Sequence, residues 1–174
     1  KKLAKMKNIE IFCFGFGQVA KHFVNKLGLE NFHINLSVTS RNKTQEKILN
    51  KMNYVNFKFD GDNYDNKLIE KLKKADYILI SIPPKNGKDV VLKNFLNIIE
   101  NCRAKWITYL SSTSVYGDHK GQWVDEMSLL NPTSYNGIDR LYVEKLWMSL
   151  YSNKKIPLQI FRLSGIYSNE NNVL

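Results

Sequence analysis

The sequence has few cysteines, few prolines and no long apolar run, and these shortages exclude several classes of protein. Its two cysteines, Cys13 and Cys102, are too few and too far apart for a disulfide framework or a zinc site. We therefore expect two reduced thiols, no bound metal and a cytoplasmic location. No apolar stretch approaches the roughly 18–20 residues that a helix needs to cross a bilayer. The basic segment 1–7 leads into a predicted strand and lacks the apolar region of a signal peptide.

Negative charge is also scarce: 26 Lys and Arg residues face 16 Asp and Glu residues, for a net charge of +10. A strongly basic chain suggests a nucleic-acid partner. The lysines, however, are spread along the predicted helices among asparagines, without the interleaved aromatic residues of a single-strand groove. We interpret the charge as solvated surface, and we expect neither a nucleic-acid nor a membrane partner. The same charge would attract anionic substrates or cofactors.

Two of the nine glycines carry the clearest signal, in a Gly-x-Gly-x-x-Ala turn between an apolar strand and a helix. Gly15 permits a tight turn, Gly17 allows the backbone to approach a pyrophosphate, and Ala20 keeps helix and strand close together. The amide groups and dipole at the start of the helix would stabilise the phosphates. The sequence therefore predicts a dinucleotide site that includes the following residues of the turn: Gly15, Phe16, Gly17, Gln18 and Val19.

Apolar periodicity predicts strands and helices in alternation along the whole chain. Predicted strands follow the first one at 32–39, 54–59, 76–82, 106–111 and 158–163, and predicted helices cover 18–27, 44–52, 64–74, 89–101 and 136–152. Right-handed crossovers between parallel strands then give a doubly wound α/β Rossmann sheet with helices on both faces. The expected strand order is 3-2-1-4-5-6, and residues 1–174 form one NAD(P)-binding domain.

The choice of cofactor is read at the end of the second strand. An acidic residue there would accept hydrogen bonds from the ribose of NAD, but the sequence has Ser40 and Arg41. A guanidinium suits a 2′-phosphate, so we expect NADP in preference to NAD, the alternative being an exposed arginine that begins the next helix. Asp60 would face the adenine or belong to a turn. Ile82 and Pro83 would lie under the cofactor.

Two further motifs carry a family resemblance. Residues 107–117 read Ile-Thr-Tyr-Leu-Ser-Ser-Thr-Ser-Val-Tyr-Gly, and residues 162–167 read Arg-Leu-Ser-Gly-Ile-Tyr. Together with the glycine turn, they resemble the extended short-chain dehydrogenase/reductases, most closely the atypical NAD(P)-dependent epimerase/dehydratase branch. The resemblance implies an oxidoreductase or epimerase that uses NAD(P) on a nucleotide-sugar or another small hydroxyl or carbonyl substrate.

The same resemblance carries expectations about the architecture beyond the Rossmann domain. Members of the family generally continue into a smaller domain that closes over the substrate. The sequence ends at Leu174, so we expect that domain to be absent or truncated here. Many members also form a dimer through two helices of the Rossmann domain. The corresponding candidates for a homodimer interface are the predicted helices at 89–101 and 136–152.

The catalytic residues that the resemblance implies depart from the family pattern. The family uses a Ser or Thr after the fifth strand and a Tyr-x-x-x-Lys pair on the next helix. The serine corresponds to Ser112, and the tyrosine to Tyr135, but Asp139 then stands in place of the lysine. An alignment shifted by one residue puts Arg140 at the lysine position and Asn136 at the tyrosine position.

Helix geometry makes this shift of one residue in the alignment important. Positions five apart are separated by about 140° around a helix, so Tyr135 and Arg140 share a face only if the tyrosine precedes the helix. Ser134 is a plausible N-cap that would allow this arrangement. Arginine is permanently charged and cannot shuttle protons, although it can stabilise a tyrosinate. Two hypotheses stay open: an enzyme whose catalytic residues are Ser112, Tyr135 and Arg140, and a non-catalytic NAD(P)-binding module with a regulatory or scaffolding role.

Overall fold

The computed structural model describes residues 7–30 and 32–167. Residues 1–6 of the basic segment and the chain end after residue 167 lie outside the described residues. The strands are β1 (Lys7–Phe14), β2 (Phe32–Ser40), β3 (Gln45–Leu49), β4 (Met52–Lys58), β5 (Tyr77–Ile80), β6 (Trp106–Ser112) and β7 (Leu158–Leu163). The helices are α1 (Gln18–Gly28), α2 (Leu68–Lys74), α3 (Val90–Glu100) and α4 (Tyr135–Lys154), with one 3-10 turn at Thr113–Val115.

The strands form one sheet in the order β3-β4-β2-β1-β5-β6-β7. All neighbouring strands run parallel except the β3–β4 pair, which is antiparallel. The six parallel strands therefore follow the predicted 3-2-1-4-5-6 order, and the predicted Rossmann fold class is confirmed. In such sheets, ligands bind at the carboxyl ends of the strands, where the connections diverge to the two faces.

The predicted helix at 44–52 is wrong, because this segment forms strand β3 and the turn into β4. Asn50 and Lys51 both have positive φ values, 47° and 67°, as in the two-residue turns that match the twist of a β-hairpin. Gln45 then pairs with Asn56, and Leu49 with Met52. Pairing with β4 thus overrides the local helical pattern and adds a seventh strand at the sheet edge.

Two apolar layers cover the two faces of the sheet. Side chains alternate between faces along a strand, so Phe12 and Phe14 of β1 face one layer while Ile11 and Cys13 face the other. The first layer packs under α2, α3 and α4, and the second packs under α1. Burial raises the pKa of the Cys13 thiol to about 12, so this cysteine stays protonated and has no nucleophilic role.

A buried carboxylate joins α3 to α4 in the first layer. Asp89 caps α3 by accepting the N–H groups of Val91 and Leu92 at 2.8 and 2.9 Å. Its second oxygen accepts the indole N–H of Trp147 at 2.9 Å. Burial raises the pKa of Asp89, and these hydrogen bonds offset part of that effect. The contact holds α4 against α3 and the sheet, and so positions the start of α4 near the carboxyl end of β6.

None of the helices in the described part of the chain is long and apolar enough to cross a membrane.

Candidate functional site

The turn between β1 and α1 needs glycine at one position and leaves open space at another. Gly15 has φ +80°, and a Cβ there would lie 2.7 Å from the hydroxyl oxygen of Ser81. A Cβ at Gly17 would meet nothing within 4 Å. Gly15 is therefore required by the backbone and by its neighbours, whereas Gly17 leaves room for a ligand to approach the first turn of α1. Ala20 is fully buried beneath that turn.

Two hydroxyl groups from neighbouring strands hold this turn. The Gly15 N–H donates to the Thr39 hydroxyl oxygen at 2.9 Å, at the carboxyl end of β2. On the other side, the hydroxyl and the N–H of Ser81 both donate to the Phe14 carbonyl, at 3.0 and 2.9 Å. Sequence reasoning missed Thr39 and Ser81. The available signal was a small hydroxyl residue at or after the end of each strand that flanks β1.

A cleft of about 1190 Å³ opens at the carboxyl ends of the strands, around the glycine turn. All ten residues predicted to bind the cofactor line it: Gly15, Phe16, Gly17, Gln18, Val19, Ser40, Arg41, Asp60, Ile82 and Pro83. Two of the three predicted catalytic residues, Ser112 and Arg140, line it as well. Sequence reasoning did not anticipate Lys85, Ser164 and Ile166, which also line it.

The N-terminus of α1 is suited to an anion. No side chain caps the helix, and its first turn contains no acidic residue. Backbone amides and the helix dipole at such an end stabilise phosphate groups. Together with the open space at Gly17, this arrangement fits a dinucleotide pyrophosphate.

Asp60 lines the cleft and also forms a turn, while its contact with the adenine stays a prediction. One of its carboxylate oxygens accepts the N–H groups of Asp62 and Asn63, at 3.0 and 2.7 Å. These hydrogen bonds lower the pKa of Asp60. The carboxylate is therefore charged at neutral pH, and one of its oxygens is already committed to the backbone.

Only two of the three catalytic candidates line the cleft. The Ser112 oxygen accepts the N–H of Ser114 at 3.1 Å, which leaves its O–H available to donate. Arg140 donates to the Leu110 carbonyl at 2.5 Å. Tyr135 is 90% exposed and is not among the residues that line the cleft. Ser112 and Arg140 are thus at the same end of the site, while the Tyr135 side chain lies in solvent.

The start of α4 explains this separation. The predicted N-cap is observed, because the Ser134 hydroxyl accepts the Gly137 N–H at 3.1 Å. The expectation that this cap would let Tyr135 precede the helix is wrong, because the residue after an N-cap is the first residue of the helix, here Tyr135. Tyr135 and Arg140 are then about 140° apart around the axis, so they do not share a face. The catalytic role of Tyr135 stays a prediction.

A buried ion pair ties the two family-like motifs to α4. The Arg162 guanidinium donates to both carboxylate oxygens of Glu144, with a shortest distance of 2.8 Å, and to the Tyr116 hydroxyl at 3.1 Å. Glu144 is only 3% exposed. These hydrogen bonds raise the pKa of Arg162 still further, so its charge is permanent. The contact fixes the end of β7 and the segment after β6 against α4; of these elements, Leu163 at the end of β7 and Arg140 of α4 line the cleft.

Within residues 7–30 and 32–167, no three His, Cys, Asp or Glu side chains are grouped closely enough to hold a metal ion.

The fold, the glycine turn and the cleft define an NAD(P)-binding Rossmann domain. Residues 11–148 match the family described as the saccharopine dehydrogenase NADP-binding domain. The chain therefore belongs to that family. The predicted resemblance to the epimerase/dehydratase group is confirmed at the level of the fold by the solved structures that the chain resembles. No curated protein sequence matches the chain.

Three solved structures illustrate the similarity. A conserved protein of unknown function from Silicibacter pomeroyi is 29% identical, with 93% of this chain and 54% of that chain covered and a TM-score of 0.72. UDP-glucuronic acid 4-epimerase from Bacillus cereus, solved with NAD, is 20% identical, with 90% and 57% covered and a TM-score of 0.73. UDP-N-acetylglucosamine 4-epimerase from Methanobrevibacter ruminantium is 20% identical, with 90% and 55% covered and a TM-score of 0.72. The chain thus spans little more than half the length of these proteins.

Proposed function

We propose that this domain serves an NAD(P)-dependent oxidoreductase or epimerase that acts on a small hydroxyl or carbonyl substrate. The observation that carries the proposal is the glycine turn, which opens the N-terminus of α1 onto a cleft that Ser112 and Arg140 also line. A nucleotide-sugar is one candidate substrate, since similar structures include epimerases named for UDP-sugars. We also propose a cytoplasmic location, since both cysteines are free thiols.

Each of the three candidate catalytic residues has its own role in the proposed reaction. When bound, the nicotinamide exchanges a hydride with the reacting carbon of the substrate. The Ser112 O–H donates a hydrogen bond to the substrate oxygen and so orients it. Arg140 adds a fixed positive charge beside that oxygen. In the reducing direction, Tyr135 would donate the proton to the oxygen, for which its side chain must turn from solvent into the cleft.

NADP is proposed as the preferred cofactor. Ser40 and Arg41 line the cleft beyond the end of β2, where the adenine ribose binds in this fold. Arg41 would pair with a 2′-phosphate, and the end of β2 itself carries no acidic residue to accept hydrogen bonds from the 2′-hydroxyl of NAD. Titration of the purified protein with NADPH and NADH, followed by calorimetry, tests this proposal. Tighter binding of NADH would contradict it.

Turnover is tested separately from binding. Steady-state oxidation of NADPH is measured with a panel of carbonyl compounds, and epimerisation, which regenerates the cofactor, is measured with nucleotide-sugars. Both are measured for the protein and for Ser112→Ala and Tyr135→Phe. General acid–base catalysis contributes about 10²–10⁴-fold, so Tyr135→Phe should lose activity on that scale. Ser112→Ala removes one hydrogen-bond donor to the substrate oxygen and should lose about 10²–10³-fold. An established activity that neither substitution lowers would rule out these roles for Ser112 and Tyr135.

The second candidate function is a nucleotide-binding module without turnover, which regulates or scaffolds other proteins. The exposure of Tyr135 and its angular separation from Arg140 favour this candidate. Both candidates require the nucleotide to bind, and they differ at catalysis. Binding of NADPH with neither oxidation of NADPH nor epimerisation of a nucleotide-sugar, for every compound of the panel, would support the module.

A homodimer through α3 and α4 is also proposed. The outer surfaces of these helices expose Leu96, Tyr142 and Met148, each more than two fifths accessible. Pairing of the helices would bury these apolar groups. Light scattering after size-exclusion chromatography should give twice the monomer mass, and Tyr142→Lys should return the protein to the monomer.

A further inference from the structure

The lining of the cleft carries more positive than negative charge. Its charged residues are Arg41, Lys85 and Arg140 against the single acid Asp60. In the part of the chain that the structure describes, none of these three cations forms an ion pair. Asp60 lies 3.9 Å from Lys58 and binds two backbone N–H groups. The cleft therefore presents three cations that no carboxylate of the described residues pairs with.

These cations stand at different ends of the cleft. Arg41 follows β2, whereas Arg140 reaches the Leu110 carbonyl of β6. The strands β1 and β5 lie between β2 and β6, so the two ends are about 14 Å apart at the usual spacing of strands. The start of α1 follows β1 and is about 10 Å from β6 by the same measure. Arg140 consequently faces a different part of the bound molecules from the part that meets Arg41 or the glycine turn.

The surroundings of Arg140 suit an oxyanion. A guanidinium has five N–H donors, and Arg140 gives one of them to the Leu110 carbonyl and lies beside the buried Tyr109 hydroxyl, so further donors remain for a ligand. The O–H of Ser112 is also available to donate at this end. The loop that carries Lys85 lies against α4, because a Cβ at Gly87 would be 3.8 Å from the Asp139 carboxylate. Two cations and a hydroxyl thus border this end, and the nearby Asp139 is not among the residues that line the cleft.

We propose that the β6–β7 end of the cleft is an oxyanion subsite and that the substrate carries a carboxylate or a phosphate group there, paired with Arg140. The proposal rests on the proposed function, because it assigns the substrate class of the same cleft. Arg140 binds the anionic group in a bidentate manner, Ser112 donates to a neighbouring oxygen, and Lys85 adds long-range attraction. A neutral substrate would leave the guanidinium with unsatisfied donors and would bind more weakly.

The experiment measures the binding of small probes to the NADPH-loaded protein and, in parallel, to the nucleotide-free protein. The probes are oxamate, its neutral analogue oxamide, and inorganic phosphate, followed by calorimetry or by quenching of NADPH fluorescence. The variants are Arg140→Gln, Arg140→Lys and Lys85→Gln. Lys145→Gln is the matched control, since it removes one positive charge from an exposed position of the same helix.

Oxamate or phosphate should bind at least about tenfold more tightly than oxamide. Arg140→Gln should lose about tenfold of that binding and Lys85→Gln about two- to threefold, while Lys145→Gln stays within about twofold of the unmodified protein. Arg140→Lys should retain an intermediate affinity, because it keeps the charge but not the planar fork. Preference for oxamate identifies a carboxylate, and preference for phosphate identifies a phosphate ester.

Equal binding of oxamate, phosphate and oxamide, or no binding of any probe, overturns the proposal. It is also overturned if Arg140→Gln weakens NADPH alone and leaves the preference for anions intact, since Arg140 would then serve the cofactor ribose. Failure of NADPH to bind would instead remove the proposed function. In that case the nucleotide-free measurements still decide whether the subsite exists.

Discussion

The backbone N–H of Gly15 donates a hydrogen bond of 2.9 Å to the Thr39 hydroxyl oxygen, so β2 directly holds the turn that faces the cofactor. Thr39 is fully buried. Thr39 is among the residues that line the cleft, but its side chain is buried against the Gly15 N–H, so its effect on the cofactor passes through the shape of the turn. This contact therefore offers a way to alter cofactor binding without touching the ligand's charged groups.

Thr39→Val should weaken NADPH binding about fivefold and lower the free energy of unfolding by about 1–2 kcal/mol, because it leaves the Gly15 N–H unsatisfied. Thr39→Ser should restore affinity, since it keeps the acceptor oxygen. The matched control is Thr44→Val, which removes a hydroxyl that accepts the Lys58 N–H at 3.0 Å outside the cleft. Equal losses of NADPH affinity in Thr39→Val and Thr44→Val would show only general destabilisation. Calorimetric titration and urea unfolding supply both measurements.

Arg41→Gln should raise the dissociation constant of NADPH about tenfold and leave that of NADH almost unchanged, because only NADPH carries the 2′-phosphate. The loss should shrink as salt is added, since Arg41 is exposed and its attraction is screened. Arg103→Gln serves as the control, because this guanidinium binds the Lys74 carbonyl outside the cleft. A parallel loss of both nucleotides in Arg41→Gln would mean that Arg41 does not read the 2′-phosphate.

The Asp76 carboxylate should make the fold sensitive to acid. The N–H of Glu10 donates to Asp76 at 3.0 Å and, with the attraction of Lys105, holds the pKa of Asp76 below its ordinary value. The folded-state pKa thus lies below the unfolded value of about 3.9, so the stabilisation is complete above about pH 4 and is lost as the pH falls through the lowered pKa. Asp76→Asn should flatten this part of the stability curve. Urea midpoints across the acid range provide the test, with the exposed Glu70→Gln as control. An unchanged acid slope in Asp76→Asn would contradict the assignment.

Arg162→Met should lower the free energy of unfolding by about 3 kcal/mol, because it leaves the Glu144 carboxylate buried without its partner. The double variant Arg162→Met with Glu144→Leu should recover much of that loss, since it removes both charges. Lys93→Met, which breaks the exposed pair with Asp62, should cost less than about 1 kcal/mol. A small cost for Arg162→Met alone would show that water or another group satisfies Glu144.

Local residue pattern was enough to predict the glycine turn and the six parallel strands. Gly15 and Gly17 lie between an apolar strand and a helix, and the glycine pattern and the apolar pattern are both contained in residues 9–20. The N-cap at Ser134 was also readable, because capping depends on residues three apart. The segment 45–49 was misread as helix since its strand exists only through pairing with β4, including the contact of Gln45 with Asn56.

The sequence by itself determined the Rossmann topology and the position of the dinucleotide turn, because both depend on apolar periodicity and on glycine at particular steps of the chain. Only the tertiary structure decided which side chains meet around that turn. Thr39 and Ser81 hold it from two strands that are distant in sequence, and Arg140 reaches the cleft that Tyr135 does not. Such contacts depend on the register of neighbouring strands and on the rotation of α4 about its axis, and neither quantity is encoded in any short stretch of residues.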